Sequence, residues 1–453
     1  MSAWLVFFSL FVKQVTNAIP QPFTVLPFFV FLVYIIFNFS KDPKRLLKAK
    51  LFQNKIVLYF SLLTLSEIIL LIWNYSKFGS DSQDFNVLGS FVGFASTLIC
   101  LLIVYIALYY AIDSDLDLLR FIRGSMLCLA VMGVLVLVPQ LLVSIGKNYF
   151  IGWVNLVDHV VIPHWNIPSD YTAGSYVATM KRANGLEIEP AFLAGQLAVV
   201  FLPWILSAIK HHFSFIKNEF KKMPYEAYLL LLLILATFAL AKTTTGLVAI
   251  ALTVLILVFD FHGRLQKIFI AFSIIGLAAV TIGYFTIGSI NGFLNGYLFA
   301  KGGQSASNRS GGTIGLIMTF LHYPLIGVGN GYLGHYLIEY VPRNSKLNTE
   351  FLWGFSHHYS VLSDWGGFLA QYGLLFFLPI VRKVRELFYD FNNELEQDNL
   401  SLLVKDAAKY TVIMYGILAI FDFNWLSYYS LISLLVFVRF VQYRIDKKQV
   451  VKS

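Results

Sequence analysis

The chain has 453 residues, 58% of them hydrophobic and 13% charged, and a net charge of +9. A soluble protein carries about a quarter of its residues as charges, so a water-facing polar shell over the whole chain is excluded. The basic excess flanks apolar runs, which assigns it to topology and anionic lipid and not to nucleic acid. Cys100 and Cys128 both fall inside apolar runs, where they make neither a disulfide framework nor a metal site.

The first apolar run, over 3–18, lacks the basic n-region of a secretory signal and reads as a short first span. Further spans are predicted over 22–39, 56–73, 88–111, 125–146, 190–208, 226–241, 246–261, 268–288, 366–382, 409–424 and 427–443. The expected fold class is all-α: one polytopic integral membrane domain over 1–453, with about 12 transmembrane helices. An even count puts both termini on one side. Placing that side in the cytoplasm puts about 24 of the Lys and Arg residues inside, as the positive-inside rule requires.

Three outer segments follow from this layout. Residues 147–189 form a loop, 242–245 a tight hairpin, and 289–365 a long loop between the ninth and tenth spans. Within the long loop, Thr313 to Tyr323 and Tyr332 to Tyr340 read as short amphipathic helices broken by Pro324 and Pro342 and lying at the membrane surface. A loop of this length with structure of its own is usually functional.

Four constellations carry possible chemistry. Lys181-Arg182 precedes Glu189-Pro190, where Pro190 suits the first helical turn and Glu189 its N-cap region. The two cations read either as solvated loop charges or as an anion clamp, since Arg grips phosphate through a rigid fork. Asn308-Arg309-Ser-Gly-Gly and Pro324-Leu-Ile-Gly327-Val-Gly329 lack the strand–turn–helix setting of a nucleotide loop, so the glycines read as a tight turn. His357-His358 stands before Asp364 and the tenth span, as a general base or as an interfacial polar pair. Asp113-Ser-Asp115-Leu-Asp117 resembles a divalent-ion motif, but it sits in a short cytoplasmic turn and reads as a decoy. His211-His212 reads as part of a solvated cytoplasmic face. Charges inside the spans are sparse, Glu67 and Asp422 being the clearest, which argues against an ion-coupled transporter.

The order of these motifs resembles the O-antigen polymerase and ligase superfamily, in particular the polymerases of surface and capsular polysaccharides. The resemblance rests on Arg182-x-x-Gly185-x-x-x-x-Pro190, Thr-Thr-Gly246, Arg309, Pro324-Leu-Ile-Gly327-Val-Gly329, Ser363-Asp364-Trp365 and Leu369-Ala-Gln-Tyr-Gly373-Leu, over about residues 180–380. It implies a membrane glycosyltransferase in the bacterial cytoplasmic membrane with its active site facing outward. Donor and acceptor would be oligosaccharides on undecaprenyl diphosphate, with membrane lipid, a flippase and a chain-length regulator as partners and no nucleic acid. It also implies inverting chemistry without a cofactor or metal. Arg182 and Arg309 match the family's arginines for the diphosphate, and Lys181, Glu189, Arg343 and Asp364 join them as candidates for binding diphosphate or glycan. The hairpin carries Thr243-Thr244-Thr245 where the family often has Ser-Arg, so a cation there falls to Lys242.

The family places a histidine base near the tenth span, which selects His358 and His357. If Tyr359 to Asp364 is helical, His358 shares a face with Leu362, at the family's position. Glu189, Glu339 and Glu350 remain as carboxylate alternatives. A ligase that moves a finished glycan, or a flippase of lipid-linked sugar, would be the other readings.

Overall fold

The computed structural model describes residues 26–47, 49, 53–79, 87–162, 164, 168–288, 291–292, 295, 304–347, 361, 363–420 and 428–452. Regular structure among them is helix, apart from one isolated bridge between Ser214 and Glu219. In chain order the first helices are α1 (Leu26–Lys41), α2 (Asn54–Phe78), α3 (Val87–Ala111), α4 (Asp115–Ser144), α5 (Ile151–Val161) and α6 (Tyr176–Met180). Next come α7 (Pro190–Lys210), α8 (Tyr225–Ala241), α9 (Thr244–Phe259), α10 (Gly263–Thr286) and α11 (Gln304–His322). The last are α12 (Leu333–Tyr340), α13 (Arg343–Lys346), α14 (Asp364–Asn393), α15 (Asn399–Leu418) and α16 (Tyr428–Lys452).

Six of these, α2, α3, α4, α7, α10 and α14, are long and apolar enough to cross a bilayer; Val30–Lys41, α8 and α9 are shorter apolar helices. The all-helical membrane class therefore stands, at a coarser level than the expected span count. The run over 3–18 lies outside the described residues. The helices α15 and α16 overlap the last two expected spans but carry Lys405, Asp406, Lys409, Arg439 and Arg444 along their length.

At the centre is α7, with 89% of its apolar window buried by protein, whereas α10 has 6% buried and so presents its surface to lipid. Lipid tails are as apolar as leucine, so close packing and internal hydrogen bonds hold such a bundle. Ser207 Oγ donates to Leu403 O at 2.6 Å on this core. Pro203 cannot donate to Val199 O, and Ser433 Oγ supplies that bond instead at 3.1 Å. Likewise Pro139 in α4 leaves Leu135 O, which accepts from Trp153 Nε1 at 2.7 Å. Each proline follows or overlaps a π-helical turn, at Leu197–Phe201 and Gly133–Leu137.

One end of the bundle is tied by ions. Arg45 and Arg439 both pair with Asp113, at 3.3 and 2.9 Å, and Arg444 bridges Asp115 and Asp398 at 2.8 and 3.0 Å. Lys210 pairs with Asp260 and Asp406 at 2.6 and 2.8 Å, His211 meets Asp406 at 2.7 Å, and Lys409 and Tyr410 reach Asp260. These bonds join segments that the sequence reading placed on one side. They also correct two expectations. Asp113-Ser-Asp115-Leu-Asp117 is not a turn but a helix start: Ser114 is the N-cap of α4, and Asp115 and Asp117 lie in its first turn. His211 belongs to an ion network and not to a solvated face.

The segment 304–347 departs most from expectation. Residues 308–312 are inside α11 and do not form a turn before it. The physical reason is packing: a Cβ at Gly311 would overlap Ser345, so the small residue admits α13 against the helix. Nor does this pair of helices simply lie on the surface. Its tip, 324–330, packs beside Glu67, Leu70 and Asn74, in the middle and upper half of α2. There it meets a break in α14 at Gly373, whose φ of 65° departs from helix. The break frees the Ala370 and Gln371 carbonyls and the Leu374 and Leu375 N–H groups. All four pair with the tip: Val328 N–H to Ala370 O, Gly329 N–H to Gln371 O, Leu374 N–H to Pro324 O and Leu375 N–H to Leu325 O, at 2.8–3.0 Å. Irregular backbone at this depth is tolerated only when protein satisfies its polar groups.

Candidate functional site

Arg182 sits in the short segment between α6 and α7. Ser175 caps α6 by accepting from Ala178 N–H at 3.2 Å, and the chain leaves α6 through Lys181 in a left-handed conformation, φ 53°. Ala183 N–H then donates to Leu240 O at 3.1 Å, which seats the segment on the end of α8. Gly185 is pinned from below: its N–H donates to Gln140 Oε1 at 2.7 Å and its carbonyl accepts from Gln140 Nε2 at 2.8 Å. Pro190 occupies the first turn of α7 and Glu189 its N-cap position, as expected, although Glu189 makes no side-chain cap bond.

The expected hairpin is formed. Lys242 is left-handed, φ 52°, and Thr243 caps α9 by accepting from Gly246 N–H at 2.9 Å. Arg182 Nε donates to Ala241 O at 3.2 Å and its Nη1 to Tyr176 Oη at 3.1 Å. The guanidinium is thus oriented by α6 and by the hairpin together. Lys242 is close enough to feel it: burial, and after it the Arg182 charge, holds the Lys242 ammonium below the ordinary lysine range. Burial also pushes the Tyr176 hydroxyl up to about 12, against the pull of Arg182. So the Arg182-x-x-Gly185 motif and the Lys-Thr-Thr-Thr hairpin, 59 residues apart from Arg182 to Ala241, form one corner.

That corner places like charges together on strained backbone. A left-handed residue other than glycine costs of order 1–3 kcal/mol and persists where surrounding structure holds it. Lys181, the residue before Arg182, and Lys242, in the hairpin, both carry that conformation. Such an arrangement can receive a multiply charged oxyanion, which relieves the repulsion as it binds.

A second feature of the same loop escaped the sequence reading. His164 Nε2 lies 2.5 Å from Asp158 Oδ2, and Asp158, on α5, is buried. His159 and His164 both lie in 147–189, which the span layout puts outside. A carboxylate six positions away gave no periodic signal, because the pairing depends on a non-helical turn after Val161.

The other predicted residues belong to a different set of helices. Arg309 is on α11, two positions from both Ser307 and Gly311, which face Ser345. It therefore points about 180° round the helix from that contact. Arg343 is exposed in the first turn of α13. Asp364 is buried in the first turn of α14, its N–H donating to Ala419 O at 2.9 Å. It lines an apolar cavity of about 300 Å³ with Trp365, Phe368 and Tyr372. Glu339 is exposed at the end of α12.

His357, His358, Glu350 and Asp422 lie outside the described residues. Ser363 is extended, φ −149° and ψ 125°, and α14 begins at Asp364. Tyr359 and Leu362, on which the choice of His358 over His357 turns, also lie outside the described residues.

Two motifs of the resemblance are nevertheless brought together. Pro324–Gly329 and Ala370–Leu375 are the partners of the paired break described above. Glu67 Oε1 accepts from Asn330 N–H at 2.8 Å beside it, Asn74 Nδ2 donates to Val328 O at 2.7 Å, and Tyr336 Oη donates to Asn74 Oδ1 at 2.7 Å. The glycines are thus neither a phosphate cradle nor a plain turn. Gly327 is where the tip touches the Gln371 backbone, and a Cβ would not fit there. No family model matches the chain, and no curated protein is significantly similar to it.

Proposed function

We propose that the protein is a membrane glycosyltransferase that polymerises lipid-linked oligosaccharide units at the outer leaflet of a bacterial cytoplasmic membrane. The observation that carries this reading is the corner where the left-handed Lys242 hairpin meets Arg182, which brings two cations together at a helix-hairpin junction. A lipid diphosphate is a leaving group that needs such cations, because charge develops on it as the glycosidic bond breaks. The ion-paired end of the bundle holds segments that the positive-inside rule puts in the cytoplasm, so the corner faces outward. The acceptor sugar attacks the anomeric carbon, undecaprenyl diphosphate departs into the cationic corner, and the chain grows by one unit with inversion.

A ligase would use the same corner and differ in its acceptor. A flippase is the reading of another class, and one feature favours it. Glu67 is buried within α2 against a helix broken at Gly373, and broken helices beside a mid-depth ionisable group are found in transporters.

Purified protein in nanodiscs, given undecaprenyl-diphosphate oligosaccharides extracted from source cells that lack the gene, separates the three. A ladder of products supports polymerase. A single transfer to another acceptor supports ligase. Transbilayer movement in liposomes without new bonds supports flippase.

A further inference from the structure

The ion networks of the bundle join separate helices, whereas the Asp158–His164 pair joins residues six apart in one loop. It lies in the loop that carries Arg182, and it has the architecture of an oriented imidazole.

Asp158 is held from three sides. It is on α5, its Oδ1 accepts from Tyr176 N–H at 3.4 Å, and its Oδ2 faces His164 Nε2 at 2.5 Å. The neighbouring turn is tied by Ser175 Oγ donating to Asn155 Oδ1 at 2.6 Å and Asn155 Nδ2 donating to Ala173 O at 3.1 Å. The imidazole is stacked on Tyr171, ring centroids 4.1 Å apart and 21° from parallel. Tyr171 meets Tyr176 at 6.2 Å between centroids, and the Tyr176 hydroxyl receives the Arg182 guanidinium. One histidine, one carboxylate and one arginine are thereby fixed through two tyrosines.

A histidine with Nε2 bonded to a carboxylate has its proton on that nitrogen and its lone pair on the other. A buried carboxylate that orients an imidazole in this way makes it an effective base. His164 is about one-fifth exposed, its side chain at 22%, while Asp158 is at 1%. Solvent and substrate can therefore reach the base and not its support.

We infer that His164, oriented by Asp158, is the general base that takes the acceptor hydroxyl proton in the proposed transfer. The inference rests on the glycosyltransferase reading. The acceptor oxygen forms a bond to the anomeric carbon, and the bond from that carbon to the diphosphate oxygen breaks. Its electron pair leaves with the diphosphate, which Arg182 and Lys242 hold. The hydroxyl proton passes to His164 Nδ1. Asp158 is a positioning residue. His159, Asp170 and Glu189 are the other ionisable groups felt by Asp158 or Tyr176, and Tyr171 and Arg182 complete the surroundings.

The test uses the full chain in nanodiscs and the extracted lipid-linked oligosaccharides. His164→Ala is expected to insert and to bind undecaprenyl diphosphate as the wild type does, yet to polymerise roughly 10²–10⁴ times more slowly. Added imidazole is expected to restore part of that rate. Asp158→Asn should lower kcat with KM for the donor unchanged. The pH dependence of the wild-type rate that comes from the base should be missing from the residual activity of His164→Ala. Normal polymerisation by His164→Ala would overturn the assignment and leave the glycosyltransferase reading intact. So would a slow variant that has lost donor binding and ignores imidazole, since the pair would then be a structural staple. A wild type that makes no glycosidic bond would remove the reading itself, and the base with it.

Discussion

The two ends of this bundle use charge in opposite ways. At one end each aspartate of the networks is matched by cations: Asp113 by Arg45 and Arg439, Asp115 by Arg444, Asp260 by Lys210 and Lys409. At the other, Arg182 and Lys242 lie close enough that burial, and after it the Arg182 charge, holds the Lys242 ammonium down. Buried pairs with opposite partners hold helices in register, whereas like charges brought together leave a repulsion that an anionic ligand can relieve. The lesson is that the sign of the neighbouring charge, and not charge content, distinguishes the two ends.

The largest effect should come from the crowded corner. Arg182→Ala is expected to lose roughly 10²–10³ in polymerisation rate, about 2.7–4 kcal/mol, with a stability loss of no more than about 1–3 kcal/mol from the two hydrogen bonds it gives up. A parallel collapse of stability would place Arg182 with the structural charges. Arg309→Lys extends the test to α11: it keeps the charge and loses the fork, and is expected to remain in the membrane with most activity gone. Wild-type polymer lengths from Arg309→Ala would remove that residue from the mechanism.

Gly373→Ala should show what the paired break contributes. Its φ of 65° disfavours a side chain, and a Cβ would strike the Leu325 carbonyl. A loss of at least about 1–3 kcal/mol in unfolding experiments is expected. A neutral result would mean that the tip and the break part easily.

Lys242→Gly sharpens the contrast from the other side. Relief of the left-handed strain should raise stability by about 0.5–1 kcal/mol while activity falls, because glycine accepts φ 52° and supplies no cation. An activity gain would contradict the account.

The smallest effect is at the matched end. Burial works against the charge on Asp260, yet the hydrogen bonds from Lys210, Lys409 and Tyr410 outweigh it and hold the carboxyl below its ordinary range. A folded value below the unfolded one means stability that is complete above about 3.8 and lost as pH falls towards the folded value. Asp260→Asn should therefore flatten the acid side of a melting-temperature profile and leave polymerisation near neutral pH intact.

Much of the helical frame was legible because apolar length and basic flanks are strong signals. The Thr243 hairpin was legible too, since a hydroxyl three positions before Gly246 caps a helix. The break at Gly373 was not, because Phe376 and Phe377 continue the apolar run and hide it. The start of α11 was misplaced because Gly311 reads as a breaker when in fact it admits Ser345. The Asp158–His164 pair was hidden for a similar reason: contact across a turn leaves no periodicity. Arg182 stood out as a cation ahead of a helix-opening proline, whereas Lys242, which the hairpin brings to it, entered only as a substitute for a missing arginine.

The central claim is that the outward corner breaks and makes glycosidic bonds. The most direct test is product length on a gel after purified protein meets extracted undecaprenyl-diphosphate oligosaccharides, with wild type and Arg182→Ala side by side. The account predicts a ladder from the wild type and unchanged starting material from the variant. Equal ladders from both, or no ladder from an inserted and folded wild type, would contradict it.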